Sequence, residues 1–101
     1  MLAHHVFFWL HQSGSDAHRR QLLEGIEKLK TISVVRSLHS GIPAATEERD
    51  VVDHSWDVCE LLMFDSAEDQ KAYQDHPVHQ DFIKEYGHLW KKVVVYDSLS
   101  L

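Results

Sequence analysis

The chain has 101 residues, of which 44% are hydrophobic and 26% charged, and its net charge is −6 with the histidines neutral. This length allows one domain over residues 1–101, because domains average roughly 150 residues. The acidic balance argues against nucleic acid or an anionic membrane as a partner, since both are bound through basic patches. Cys59 is the only cysteine, which excludes an intrachain disulfide. Without a signal-peptide pattern or an apolar run near the ~20 residues of a membrane span, we expect a cytoplasmic protein.

The first predicted element is a strand over Leu2–Leu10 that is apolar on both faces. Alternation places His5, Phe7 and Trp9 on one face, and aliphatic and aromatic residues also occupy the other. A strand of this kind must be covered on both sides. It therefore predicts a sheet with a packed layer against each face.

The rest of the chain alternates between helical and strand patterns. A helix over 16–30 has a capping serine before it and apolar residues at spacings of three and four. Strands are predicted over 32–41 and 55–64, with a long loop over 42–54 between them. In the strand over 55–64, alternation assigns four residues to one face: Trp56, Val58, Glu60 and Leu62. Helices over 67–75 and 77–86, separated at a proline, and a strand over 92–99 complete the chain.

The resulting order, β-α-β-β-α-β, is that of the ferredoxin-like split βαβ motif. We therefore predict an α+β fold, with a four-stranded antiparallel sheet and helices on one face only. The other face is apolar and needs a cover, and a second sheet is the simplest one. This pattern predicts a homodimer that pairs through its sheet faces.

Three blocks of the chain resemble a known family. They read HHVFFWL, WDVCELLMFDSAEDQKAYQDHPVHQDF and VVVYDSL, in that order. Together they resemble the stress-responsive A/B barrel domain (Dabb) proteins over nearly the whole chain, most specifically between Phe64 and Phe82. The resemblance implies a ferredoxin-like fold that dimerises into an α/β barrel. The family includes plant stress-induced proteins, bacterial proteins of unknown role and a polyketide cyclase (olivetolic acid cyclase), so membership indicates fold more than activity.

The resemblance also implies candidate catalytic residues. Tyr73 and His79 match the positions that serve the cyclase as catalytic tyrosine and general base, and His5 matches a pocket histidine. Another pocket histidine of the cyclase corresponds to Val58, where this chain departs from the pattern. A neutral imidazole can remove a proton α to a carbonyl, and a tyrosine hydroxyl can bond the developing oxyanion. This interpretation is a cofactor-free cyclase, lyase or monooxygenase-like enzyme acting on an apolar carbonyl or phenolic compound.

Other interpretations fit the same residues. His79 could bond a strand backbone and Tyr73 could be a core residue with a satisfied hydroxyl, in which case neither has a catalytic role. His76 and His79 form one close histidine pair, whereas a zinc site needs three or four ligands, so no metal site is predicted.

The aromatic residues of the first strand also allow two interpretations. Phe7 and Trp9 could line a ligand cavity, in which we also place His5 and Val58, or they could belong to the core and dimer interface. The sequence thus leaves three functions open. They are a dimeric Dabb protein of uncharacterised role, a small enzyme with His79 as base, and a small-molecule binding module.

Overall fold

The computed structural model describes residues 1–101 and contains the predicted elements in the predicted order. The strands are β1 Leu2–Leu10, β2 Ser37–Gly41, β3 Val58–Phe64 and β4 Trp90–Leu99, and the helices are α1 Asp16–Glu27, α2 Ala67–Asp75 and α3 Pro77–Tyr86. All strand pairs are antiparallel, in the order β2-β3-β1-β4. The predicted α+β ferredoxin-like class is therefore confirmed. None of the helices has the length and apolar character needed to cross a bilayer.

Local hydrogen bonds set the starts of the three helices. Ser15 and Ser66 each accept a bond from the backbone amide three residues later, at 3.3 and 3.1 Å. His76 separates α2 from α3, because its ring Nδ1 accepts a bond of 3.1 Å from the amide of Val78. Pro77 then occupies the first turn of α3, where its missing N–H costs nothing.

The core lies between the helices and one face of the sheet. Alternate residues of β1 are buried against the helices, and the residues between them are half-exposed on the other face. The buried apolar residues form one cluster: Leu2, Val6, Phe8, Leu10, Leu22, Ile26, Leu29, Ile32, Val58, Leu62, Phe64, Tyr73, Phe82, Tyr86 and Leu89. The other face has no helix over it, and only loop residues such as Trp56 pack on part of it; we call it the open face.

The second strand is shorter than predicted, beginning at Ser37 instead of Ile32. The chain passes from α1 through a 3-10 turn over Lys28–Thr31, and the amide of Val35 then bonds the carbonyl of Ile32 at 3.0 Å, closing another turn. Ile32 is only 1% exposed and packs in the core. The β-branched residues Ile32, Val34 and Val35 favoured a strand in the sequence. In the structure Ile32 is apolar because it packs in the core after the end of α1.

The third strand begins at Val58 instead of Ser55, and this changes the position of Trp56. The Trp56 indole donates a bond of 2.9 Å to the carbonyl of Asp53, in the loop before the strand. Its ring packs against Phe7 on the open face, 5.2 Å between centroids. Val58 faces the helices and is fully buried. The prediction that Trp56 and Val58 share a face was wrong, because alternation holds only inside the strand.

Two helices approach each other closely at Gly25. A Cβ at this position would lie 2.6 Å from the ring of Tyr86, which is itself only 6% exposed. The absence of a side chain is therefore what lets α1 and α3 pack together over the sheet.

We expect Gly25→Ala to destabilise the fold by about 1–3 kcal/mol, because the buried ring has no room to move away. Gly87→Ala is the matched control: its Cβ would meet Trp90 at an ordinary 3.7 Å, and it should be neutral within about 0.5 kcal/mol. Urea unfolding of both variants measures the difference. Equal stability of the two variants would contradict the close approach.

A buried carboxylate joins the end of β1 to α1. Asp57 is 1% exposed and accepts bonds from the amides of Leu10 at 2.9 Å and Gly14 at 2.8 Å. The guanidinium of Arg19 lies 3.1 Å from the same carboxylate. Burial alone would raise the pKa of Asp57, but these three partners outweigh it and lower the pKa.

Replacing Asp57 by Ala should cost about 3 kcal/mol, because two amides and Arg19 lose their partner. The exposed pair Arg36–Asp65 provides the control, and Asp65→Ala should cost less than about 1 kcal/mol. Because folding lowers the pKa of Asp57, its contribution is present above the unfolded pKa and is lost as pH falls through the folded value. Denaturant titrations at pH 7 and pH 3 measure both effects. A similar cost for the two variants at pH 7 would refute this role.

Candidate active site

A pocket of about 280 Å³ lies between the helix-covered face of the sheet and α3. Most of its lining is apolar: Val6, Phe8, Phe82, Ile83, Trp90, Val93 and Val95. Four polar side chains also line it: His4, Glu60, Gln74 and His79. A mainly apolar cavity with a few converging polar groups is typical of small-molecule sites.

His79 enters this pocket from the first turn of α3. The side chain is nearly buried, and its ring packs on Tyr73 with 4.7 Å between centroids. Burial lowers the pKa of His79, a backbone hydrogen bond with Gln74 partly opposes this, and His4 lowers the pKa further. The helix dipole at this end of α3 acts in the lowering direction too. The imidazole is therefore uncharged at neutral pH.

Tyr73 lies behind His79 and is fully buried. Its ring packs against Phe64, with 5.1 Å between the ring centroids, and against His79. The hydroxyl has no hydrogen-bond partner. Burial, and next Glu60, which is ionised at the high pH where a tyrosine titrates, raise the pKa of Tyr73, so the hydroxyl keeps its proton. The tyrosine thus supports the His79 ring and holds an unused donor next to the pocket.

His4 and Asp97 form a cross-strand pair on the same face. They are register partners in β1 and β4, and Nδ1 of His4 lies 2.5 Å from the Asp97 carboxylate. An ionised carboxylate only accepts hydrogen bonds, so Nδ1 is the nitrogen that donates. The other ring nitrogen of His4 stays available on the pocket side of the sheet.

Glu60 is one of three polar residues of this pocket, with His4 and Gln74, that the sequence interpretation did not select. It is 3% exposed, lies opposite Val6 in the β1–β3 register, and its Oε2 has no hydrogen-bond partner. Burial raises the pKa of Glu60 to about 8. The available signal was its place on the inward face of β3, where it alternates with two apolar residues, Val58 and Leu62.

The structure brings together some predicted site residues and separates others. Tyr73 and His79 are in contact beside the pocket, whereas His5, Phe7 and Trp9 lie on the open face, across the sheet. Val58 is sealed in the core and lines neither face's hollow.

The histidine next to Tyr73 is His4, not His5, with 6.0 Å between the ring centroids. Neighbouring strand residues point to opposite faces, so His4 lies on the pocket side of β1 and His5 on the open face. No three His, Cys, Asp or Glu side chains of the chain converge as a metal site would require.

Beside a hollow of about 400 Å³ that His5 and Phe7 line together with loop residues, the open face carries a smaller one of about 160 Å³. Its lining is mainly aromatic: Phe7, Trp9, Trp56 and Tyr96, with Asp53. These rings contact one another edge to face, such as Phe7 and Tyr96 at 6.1 Å. Trp9 also carries the ammonium of Lys92 over its ring at 4.5 Å.

Solved structures similar to this chain share its fold. A dimeric ferredoxin-like protein of unknown function from Thermobifida fusca has a TM-score of 0.77 at 17% identity, covering 96% of this chain and 88% of its own. A Dabb-family protein from Mesorhizobium loti has 0.78 at 19%, covering 99% and 96%. A hydroxynitrile lyase from Passiflora edulis has 0.76 at 21%, covering 96% and 90%. At these identities the similarity concerns the fold.

No curated protein matches the chain by sequence. The family model of the stress-responsive A/B barrel domain matches residues 2–100. This match covers all four strands and all three helices, including the segment from Phe64 to Phe82 on which the resemblance depended most. The chain belongs to the stress-responsive A/B barrel domain (Dabb) family.

Proposed function

We propose that the protein is a small cofactor-free enzyme that moves a proton on an apolar carbonyl or phenolic compound, with His79 as general base. One observation carries this proposal: a nearly buried imidazole, whose pKa is lowered by burial, lines a mainly apolar pocket. A base needs its free form at the working pH, and the lowered pKa of His79 provides it. A side chain whose pKa is perturbed and which lies in a cleft is a candidate for a functional site.

Tyr73 has the role of a positioning residue in this proposal. Its ring packs directly on the imidazole, and its hydroxyl has no other bond to satisfy. His4 is held in one orientation by Asp97, which favours a second fixed imidazole beside the reacting group. The fold similarity to a hydroxynitrile lyase is consistent with an enzyme. The binding-module alternative uses the same pocket without any role for the proton affinity of His79.

Exchange of α-hydrogens tests the base without knowledge of the natural substrate. We expect the protein to accelerate deuterium incorporation into the methyl group of 2-acetylnaphthalene in D₂O, followed by NMR. His79→Ala should reduce this acceleration at least roughly 100-fold. The wild-type rate should rise with pH through the lowered pKa of His79, since the neutral ring is the active form.

The exposed His88→Ala is the matched control and should keep the wild-type rate. If the protein binds the ketone but does not accelerate exchange, the enzyme proposal is wrong and the pocket belongs to a binding module. If the protein neither binds the ketone nor accelerates its exchange, this pocket is excluded as the functional site.

We also propose that the protein is a homodimer paired through its open faces, in a cytoplasmic setting that suits its free, buried Cys59. The open face presents a continuous apolar area: Ala3, Phe7, Trp9, Cys59, Leu61, Met63, Val94 and Tyr96. Burial, and next the neighbouring His39, lower the pKa of His5 at the centre of this face. The face is therefore uncharged there at neutral pH and suits a sheet-on-sheet contact. The similar Thermobifida fusca protein is described as dimeric.

Tyr96→Lys should convert the dimer to a folded monomer, because Tyr96 is 66% exposed within one chain and contributes little to its own core. Asp81→Lys, on the helix side, changes charge in the same direction and should leave the dimer intact. Light scattering at micromolar concentration measures the mass, and circular dichroism checks the fold. A wild-type monomer under these conditions would exclude the paired-sheet arrangement.

A further inference from the structure

We infer that Glu60 is a second catalytic residue of this pocket: as a neutral carboxylic acid it donates a hydrogen bond to the carbonyl oxygen of the ligand while His79 acts as base. The inference rests on the proposed function and specifies its substrate class, an apolar compound with an uncharged carbonyl group. In the proton-abstraction step, His79 takes the α-proton, the C–H electron pair becomes the enolate, and Glu60 bonds the oxygen that gains negative charge.

Glu60 is buried beside the pocket with one carboxyl oxygen that has no hydrogen-bond partner. It lies on the inward face of β3 between two core residues, lines the pocket and is 3% exposed. Its Oε2 makes no hydrogen bond within the chain. An unbonded polar atom buried in this way costs stability, and native proteins rarely leave one without a use. A carbonyl oxygen inside the pocket would supply the missing acceptor.

The surroundings of Glu60 select its neutral form. The titratable groups that face it are His4 on β1, Tyr73 on α2 and His79 on α3, with Asp97 on β4 bonded to His4. None of the pocket-lining residues is a lysine or arginine that could pair with a carboxylate. Burial without a cation raises the pKa of Glu60 to about 8, so the acid keeps its proton at neutral pH.

The same surroundings indicate which ligands fit. A carboxylate ligand would lose its hydration in an apolar site that holds no cation and lies close to Asp97. No ion pair would offset the free energy of that desolvation. A hydrocarbon would leave the Glu60 acid unbonded. A ketone or aldehyde satisfies the acid and brings no charge. A carboxylic acid held neutral to donate to a carbonyl, opposite a separate base, is a known division of roles in proton abstraction.

Four matched probes test the donor role by calorimetry at pH 7: 2-acetylnaphthalene, 2-ethylnaphthalene, 2-naphthoate and 2-(aminomethyl)naphthalene. The wild type should bind the ketone roughly tenfold tighter than the hydrocarbon, the gain typical of one hydrogen bond. Glu60→Gln keeps an N–H donor and should keep this preference, whereas Glu60→Leu should lose it and bind the hydrocarbon at least as well. Tightest binding of the ammonium probe, lost in Glu60→Gln, would overturn the inference by indicating an ionised carboxylate.

Deuterium exchange separates this inference from the proposed function. Glu60→Leu should slow exchange of the ketone well below the wild-type rate, and Glu60→Gln should slow it less. If His79→Ala abolishes exchange while both Glu60 variants keep the wild-type rate and preference, the base stands and the acid is refuted. If the wild type binds none of the four probes, both proposals fail together.

Stability against pH gives a readout that needs no ligand. Folding raises the pKa of Glu60, so the unfolded chain releases this proton above its ordinary pKa while the folded chain retains it. The wild type should therefore lose up to roughly tenfold in its folding constant per pH unit, relative to Glu60→Gln, between about pH 5 and about pH 8. Above that range the difference should be constant. A difference that does not change with pH would show that the acid is not held neutral, and would overturn the inference.

Discussion

The two-residue period of β1 is the constraint on which the rest of the molecule depends. β1 lies in the middle of the sheet and pairs with both β3 and β4. Its register fixes which residues of those strands face α3 and which face outward. His4, Glu60 and Asp97 meet on the helix side for this reason alone, although they are far apart in sequence. A slip of one residue in β1 would exchange the contents of the pocket and the open face.

The sequence was sufficient for those parts of the fold that depend on local rules. A strand apolar on both faces, a serine cap before α1 and the break at His76–Pro77 all reflect short-range chemistry, and each lies where it was expected. The start of β2 was missed because Ile32 is buried by a turn rather than by a strand, and apolar residues look alike in both settings. Trp56 was misassigned because its bond to Asp53 lies outside the ladder.

The candidate site was only partly predictable. Tyr73 and His79 were found because the motif that carries them lies on two consecutive helices, whose boundaries a proline marks. His4 and His5 are adjacent in one strand, and only the register shows that His4 lies on the pocket side and His5 on the open face. Glu60 gave no motif at all. Glu60 is notable because it is buried without a hydrogen-bond partner. Strand pairing creates this burial, and the spacing of residues in the sequence does not reveal it.

Two buried carboxyl groups show how partners decide between structure and chemistry. Asp57 and Glu60 are three residues apart and both nearly inaccessible, yet the pKa of Asp57 is lowered and that of Glu60 is raised. Asp57 meets two amides and Arg19, so its charge is satisfied and it ties the chain together. Glu60 meets no cation, so burial acts on it unopposed. The same desolvation lowers the pKa of His79, and an acid and a base that are both uncharged can coexist in one apolar cavity.

The two faces of the sheet can therefore serve different purposes in one small chain. A dimer formed through the open face covers the aromatic residues of β1 and β4 without touching the residues that line the pocket, because alternate side chains leave each strand on opposite sides. The strands are nevertheless shared: His5 and Tyr96 are register partners on one face, directly beside His4 and Asp97 on the other. Pairing would stiffen the backbone that holds the His4–Asp97 bond and Glu60 in place. In such a dimer the open face would contribute to the site by restraining the strands that carry the pocket residues.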